Sequence, residues 1–462
     1  MHRRRALVLL TLGLACLGTR HAGAEGQPEP FRLVRSDENY DPRRLAPGVA
    51  PAPEPYKYLP LVEGGATWLS LGGELRERYE GMDAPRFGIG SRSDGYVVQR
   101  LLLHADLHAG SRIRLYAELG DHRVFGRRTP ITPVDESWPN VQNLFLEVSP
   151  DANAHWRLRL GRQELLLNPM QRLVAVREGP NLRQSYDGAR LTWQDGPWRV
   201  DAFSLRPVLV VKPDAFDNRA DPDTRFSGVY AGHALARPGS TMDVYYLAFD
   251  RAKARFGTSS AFEHRRTLGT HLALRDGAWD VDADLDWQFG HYGARRIDAW
   301  AVGADGGYTF TGSLKPRVGL RVDAAAGGAA SSPSRLGTFN PMFPRGGYFD
   351  ETGLVTFSNL WSLRPNLTLT PTPALTLQFA SAWRWKQNAQ DAVYMVPLIP
   401  IAATRAVPAR YLGRWTILDA TWRANRWLSF SAEYLATSAG HGLTDAGGHD
   451  LRFGMLQAQL KF

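Results

Sequence analysis

The sequence predicts an all-β chain, a transmembrane antiparallel β-barrel with inward-folded loops, and three observations carry that prediction. From Thr67 onward, apolar and polar residues alternate at every second position in segment after segment, which is the period of a strand with two unlike faces. The polar face is ionic, and the apolar face repeatedly ends in Trp, Tyr or Phe, of which the 462 residues include 14, 16 and 20. Beyond the first two dozen residues, nothing approaches the ~18 uncharged apolar positions in a row that a membrane helix needs. Lipid outside, water inside and aromatic girdles at both interfaces call for this combination. Every backbone donor in a bilayer must be paired, so such a sheet has to close on itself. A secreted soluble β-protein such as a lectin would share the alternation but has little reason to end so many apolar faces in aromatic rings.

At the N-terminus, MHRRRALVLLTLGLACLGTRHAGAEG joins a basic stretch (Arg3, Arg4, Arg5) to an apolar run from Ala6 to Leu17 and the small-x-small tripeptide Ala22-Gly23-Ala24. Residues 1–24 are therefore expected to be an export signal cut after Ala24. A lipoprotein signal ending at Cys16 is the competing reading, opposed by Gly13 where such signals usually carry Leu. Cys16 is the only cysteine, so a chain starting at Glu25 has no disulfide, thiolate metal site or catalytic thiol. Removing the four arginines of residues 1–24 from 55 basic residues leaves 51 against 46 acidic ones, too small an excess to argue for nucleic acid. Residues 25–66 form a Pro-rich N-terminal extension. Its prolines at 28, 30, 42, 47, 51, 53, 55 and 60 forbid a ladder strand, and it is expected to be a periplasmic lead-in or an internal plug.

Residues 67–462 make the barrel. Leu69, Leu71, Leu75 and Tyr79 oppose Ser70, Glu74, Arg76 and Arg78; Leu101, Leu103, Ala105 and Leu107 oppose Arg100, His104, Asp106 and His108. The same division recurs at Trp156–Leu160, Val318–Val322, Leu375–Trp385 and Leu428–Tyr434. About 19 candidate strands can be traced, and bacterial barrels have even numbers, so about 18 strands are expected, with about 16 as the neighbouring possibility. A barrel of that size can hold an aqueous lumen.

The clearest strand is WDVDADLDWQFG, where Asp280, Asp282, Asp284 and Asp286 alternate with Trp279, Val281, Ala283, Leu285, Trp287 and Phe289. A helix would scatter both sets around its cylinder. A calcium loop would need a Gly and a Glu where Leu285 and His291 stand. The four aspartates are expected to line water inside the pore as an acidic wall, with the apolar residues toward lipid. At the other end, Leu456, Ala458, Leu460 and Phe462 alternate with Gln457, Gln459 and Lys461, the pattern of a closing barrel strand.

Two long connections interrupt the series, Leu160–Leu191 and Ser331–Glu351. Long ordered connections are commonly functional, and in a barrel they can fold into the lumen. The runs LGRQE (Leu160–Glu164), REGPNLR (Arg177–Arg183), YDG (Tyr186–Gly188), FNPMFPRGGYF (Phe339–Phe349), NLWSLRPNLTL (Asn359–Leu369), WRW (Trp383–Trp385) and ARYLG (Ala409–Gly413) are similar to those of the alginate export family of outer-membrane barrels. The resemblance spans most of residues 67–462. It implies a monomeric barrel with an arginine-rich constriction that passes anionic uronate polymer outward from the periplasm. Carried onto this sequence, Arg162, Arg177, Arg183, Arg345 and Arg384 would line the constriction, with Asp187 as a charged partner.

Three functions follow as expectations. The first is passive, anion-selective passage of an acidic oligo- or polysaccharide such as alginate through the Gram-negative outer membrane. Arginine rings concentrate anions, and guanidinium groups pair bidentately with carboxylates. Export would call for periplasmic partners. The second is uptake of other small polar or anionic nutrients through the same fold. The third, an outer-membrane barrel enzyme, lacks a nucleophile–base signature, since neither G-x-S-x-G nor H-E-x-x-H occurs. No cofactor or metal is expected, and outer-membrane lipid is the surrounding partner.

Overall fold

Period-two alternation becomes a closed wall in the computed structural model, which describes residues 31–44, 54–90, 93–151, 154–211, 214–256, 259–329 and 332–462. The expected export signal, with Cys16, lies outside the described residues. Eighteen antiparallel strands form the wall. The first six are β1 (Thr67–Met82), β2 (Asp94–Ala109), β3 (Ile113–Phe125), β4 (Ser137–Val148), β5 (Trp156–Gln163) and β6 (Tyr186–Asp195). The next six are β7 (Trp198–Leu209), β8 (Thr224–Ala234), β9 (Thr241–Phe256), β10 (Ser259–Asp276), β11 (Trp279–Tyr292) and β12 (Arg295–Thr309). The last six are β13 (Arg317–Ala325), β14 (Leu360–Thr372), β15 (Leu375–Trp385), β16 (Tyr411–Arg423), β17 (Leu428–Ala439) and β18 (Arg452–Lys461). Each strand pairs with the next, and β18 returns to β1 from Glu74↔Lys461 to Met82↔Phe453. That last pairing removes the sheet edges that lipid could not satisfy.

The two faces separate as the spacing requires. On β11, Leu285 is 55 % and Trp287 46 % exposed while Asp286 between them is 0 %, so the apolar residues point outward and the acids inward. The ends differ in their connections. One end has tight turns such as Gly196-Pro197 and Gly277-Ala278, with glycines at φ +50° and +59°, a conformation that two-residue turns favour. The other end carries the long loops, and residues 164–185 and 332–359 turn back into the barrel. A third loop, 386–410, packs onto the second, with Thr356 N–H donating to Tyr394 O at 2.9 Å. Among the described residues, no helix is long and apolar enough to cross a membrane.

Inside the long-loop end, inward-facing Phe203, Phe226 and Phe249 form an apolar socket. Phe343 of the second inward loop fills it, making edge contacts with Tyr186, Phe226 and Phe249 at 5.1, 5.1 and 5.5 Å. The fold's buried hydrocarbon thus lies in the lumen, between wall and loops.

Candidate functional site

The two inward loops meet in mid-lumen through backbone. Val174 and Phe343 form a parallel bridge, with Ala175 N–H donating to Phe343 O and Phe343 N–H to Leu173 O, both at 2.9 Å. Each loop is also tied to the wall by arginines. The turn Glu178-Gly179-Pro180-Asn181 lies against β1 and β2, where Arg76 donates to Pro180 O at 3.0 Å and Arg100 pairs with Glu178. Asn181 Nδ2 reaches the carbonyls of Gln99 and Asp135 at 3.0 and 2.8 Å. The segment Tyr348-Phe349-Asp350-Glu351 is held by four wall arginines, one per residue. Arg321 donates to Tyr348 O (2.8 Å), Arg364 to Phe349 O (2.9 Å), Arg384 to Asp350 (2.9 Å) and Arg78 to Glu351 (2.9 Å). The motif residues thus include those that seat the loops.

The acidic wall has its own cover. Asp280 accepts from Arg317 at 2.8 Å, Asp282 from Arg172 at 2.9 Å, and Asp286 from the Tyr245 hydroxyl at 2.8 Å, while Asp284 pairs with the same Arg172. The expectation that these aspartates line open water is corrected for three of the four, Asp280 remaining partly exposed. They face inward, but Asp282, Asp284 and Asp286 are buried, because Arg172 reaches across from the first inward loop and neutralises two of them. His271, Asp282 and Asp284 bring ligand atoms within 4.8 Å of one another, and Arg172 already donates to both carboxylates.

The six predicted constriction residues divide three ways. Arg183 and Arg384 face the lumen but are matched, Arg183 with Glu164 (2.8 Å) and Glu178 (3.2 Å), Arg384 with Asp350. Burial raises the Glu164 carboxyl to about 7 despite Arg183. Burial acts the same way on Glu178, but there Arg100 and Arg183 together outweigh it and hold the carboxyl well below the usual range. Arg177 (φ +57°) and Arg345 lie on the two inward loops and make no ion pair among the described residues. Arg345 is exposed within the lumen, and Arg177 sits beside Tyr186.

Arg162 and Asp187 are a correction. They pair bidentately at 2.8 and 2.9 Å, but on the outer side of the wall. They share the strand parity of outward Leu160 and Leu191, whereas Gln163 and Tyr186, their register neighbours, are fully buried inside. With Arg162 also donating to Asn218 O at 3.1 Å, the pair fastens the β7–β8 connection at Asn218. The adjoining partners Gly161 and Gly188 explain the LGR and YDG motifs. A Cβ there would stand 2.3 Å from Leu144 O and 2.2 Å from Ser204 O, at φ +125° and +152°.

The N-terminal extension enters the barrel from the short-turn end. Arg35 donates to Gly73 O and Phe462 O at 3.0 and 2.9 Å, inward-facing Arg114 donates to Ser36 O at 2.7 Å, and Arg183 of the first inward loop donates to Leu33 O at 2.6 Å. Lys57 is 1 % exposed, with Nζ donating to Leu71 O at 3.0 Å. Burial, aided by Arg35, lowers its ammonium to about 8. Between about pH 8 and the ordinary ~10.4, the undocked lysine is protonated and the docked one is not. Docking of this segment is therefore weakest below about 8 and tightens as pH rises through that window. Limited proteolysis of the segment, normalised to an unstructured peptide at each pH, should slow from pH 7.5 to 9.5. Lys57→Met should flatten that slope, and an unchanged slope in the variant would reject the assignment.

Comparison with known proteins places this geometry. The family described as alginate export matches residues 67–455, and no curated protein sequence matches the chain. Among solved structures, Acinetobacter baumannii OccAB1 is similar at TM-score 0.58 and 12 % identity, over 88 % of this chain and 99 % of that one. Pseudomonas aeruginosa OccD3 is similar at TM-score 0.58 and 13 % identity, over 88 % and 93 %. P. aeruginosa OccK2, solved in complex with glucuronate, is similar at TM-score 0.55 and 13 % identity, over 85 % and 96 %. At these identities the likeness is one of fold, that of an outer-membrane barrel.

Proposed function

Because this chain belongs to the alginate export family, whose fold is that of outer-membrane transport barrels rather than enzymes, we propose that it is a passive, anion-selective channel for acidic saccharides. The observation that supports this most directly is a surplus of cation where the inward loops meet. Arg177 and Arg345 make no ion pair there among the described residues, while all four aspartates of β11 are bonded to Arg or Tyr. Unmatched guanidinium groups in a narrow, poorly screened passage raise the local anion concentration and offer two parallel donors to each carboxylate. A low-identity relative in fold was solved with glucuronate, which is compatible with a sugar-acid cargo.

Ion selectivity in planar bilayers, with oligouronates as blockers, tests the proposal. The wild-type channel should prefer anions and show dose-dependent block. Arg345→Ala and Arg177→Ala should each weaken the block several-fold without unfolding the barrel, since neither residue holds a loop by an ion pair. Cation preference with no block would sink the proposal. A second reading, uptake of small anionic nutrients by a monomer without periplasmic partners, is favoured by how much of the lumen the loops and the N-terminal extension fill. An exporter of polymer would work with periplasmic partners and would have to displace those segments.

A further inference from the structure

A cavity of about 400 Å³ opens at the short-turn end of the lumen, between the N-terminal segment 32–41 and the inner wall of β1–β7. Its size is within the ~300–1,000 Å³ range of small-molecule sites. The wall side is a continuous lateral row, in which Trp68, His108, Arg114, Glu147, Arg159 and Arg190 are successive register partners across β1 to β6. The roof is the N-terminal segment, fixed to that row where Arg114 donates to Ser36 O at 2.7 Å and Arg159 to Ser36 Oγ at 3.5 Å. Seven arginines border the cavity against four carboxylates, so it is net cationic. Within the row, Arg114 and Arg159 are occupied by Asp106 and Glu147. Arg32, Arg112 and Arg157 are different, being exposed at the cavity and in no ion pair among the described residues.

We propose that this cavity is a binding site for one hydroxylated carboxylate of sugar-acid size, its carboxylate taken by Arg112 and Arg157 and its hydroxyls by the neutral and acidic groups opposite. Asn39, Ser149 and Gln194 border the same cavity, as does the exposed Asp37, whereas Asp41 is held by Arg43 at 2.8 Å. A chloride or sulfate ion would face the Asp37 carboxylate with nothing to donate to it, and hydrogen phosphate with only its one or two hydroxyls, whereas a polyol acid presents several hydroxyl donors there and its charge to the arginines. The roof belongs to a separable segment, so bound ligand stabilises the docked N-terminus by mass action. The inference rests on the anionic-saccharide reading above and assigns it a site on the short-turn side of the inward loops, whose Arg183 meets the roof segment at Leu33.

Titration calorimetry on the full chain in detergent tests it, with sodium glucuronate as the probe and glucose and inorganic phosphate as comparators. One glucuronate per chain should bind, glucose should not, and Arg112→Ser combined with Arg157→Ser should weaken binding at least ten-fold. Both residues are exposed and unpaired, so the double variant should keep its heat-resistant barrel mobility on gels. Glucuronate should also slow proteolysis of the N-terminal segment in the wild-type chain and not in the double variant. Binding unaltered by the double substitution, or phosphate binding as tightly as glucuronate, would overturn the site. An anion-selective channel blocked by oligouronates but showing no glucuronate binding would overturn the site alone. A cation-selective, unblocked channel would remove the broader reading with it.

Discussion

Replacing Arg172 with alanine is expected to raise single-channel conductance several-fold and to shift selectivity toward cations. Its guanidinium is 2 % exposed and donates to Asp282 at 2.9 Å, to Asp284, and to the Tyr348 hydroxyl at 2.8 Å; that hydroxyl in turn donates to Asp323 at 2.6 Å. Deleting the cation leaves Asp284 buried without a partner among the described residues and Asp282 with His271 alone, a loss of ~3–5 kcal/mol for a broken buried ion pair. The closed eighteen-strand wall does not depend on Arg172, so the least costly response is for the first inward loop to leave β11 and admit water. That movement widens the passage and uncovers the acids, which is why conductance and selectivity should change together. Arg172→Lys keeps the charge but not the planar fork that spans two carboxylates, and should fall between wild type and alanine. Conductance and thermal midpoint both unchanged in Arg172→Ala would show that the loop is held by something else.

Phe343→Ala should release the second inward loop. The ring is 5 % exposed and lies edge-on to Tyr186, Phe226 and Phe249. Truncating a buried phenylalanine costs ~3–5 kcal/mol through lost transfer energy and the cavity left behind. The arginines along Tyr348–Glu351 would still hold one end of the loop, while the Val174–Phe343 bridge would lose its anchor. The expected result is a barrel that still migrates as folded, protease cleavage within residues 332–359, and noisier open-channel current. Cleavage as slow as in the wild type would mean that the backbone bridge and Gln288, which binds Asn340 through both backbone groups at 2.7 and 3.0 Å, suffice without the ring.

These two residues differ in how visible they were before the fold was known. Phe343 sits in the FNPMFPRGG run, which marked the loop though not its socket. Arg172 was one of several arginines in a long connection, and nothing local distinguishes the one that crosses the lumen. Its partners lie 110 and 112 positions along the chain. The outward placement of Arg162 and Asp187 was, by contrast, available from spacing. Arg162 continues the parity of Leu158 and Leu160 and Asp187 that of Ala189 and Leu191, but motif resemblance drew both residues inward. Arg384 shows the same rule applied well, since it alternates with outward Trp383 and Trp385 and is fully buried within the lumen.

What the sequence by itself determined is the wall: all-β, antiparallel, closed, apolar outside and ionic inside. That information is local, because a period of two assigns every side chain to a face and the bilayer then leaves an open edge no place to exist. Only the tertiary structure decided which charges remain unmatched. Charge matching here depends on two loops from one end and an N-terminal segment from the other meeting wall residues 34 to 273 positions away. The partner of a buried ion is chosen by that closure and not by its neighbours in the chain.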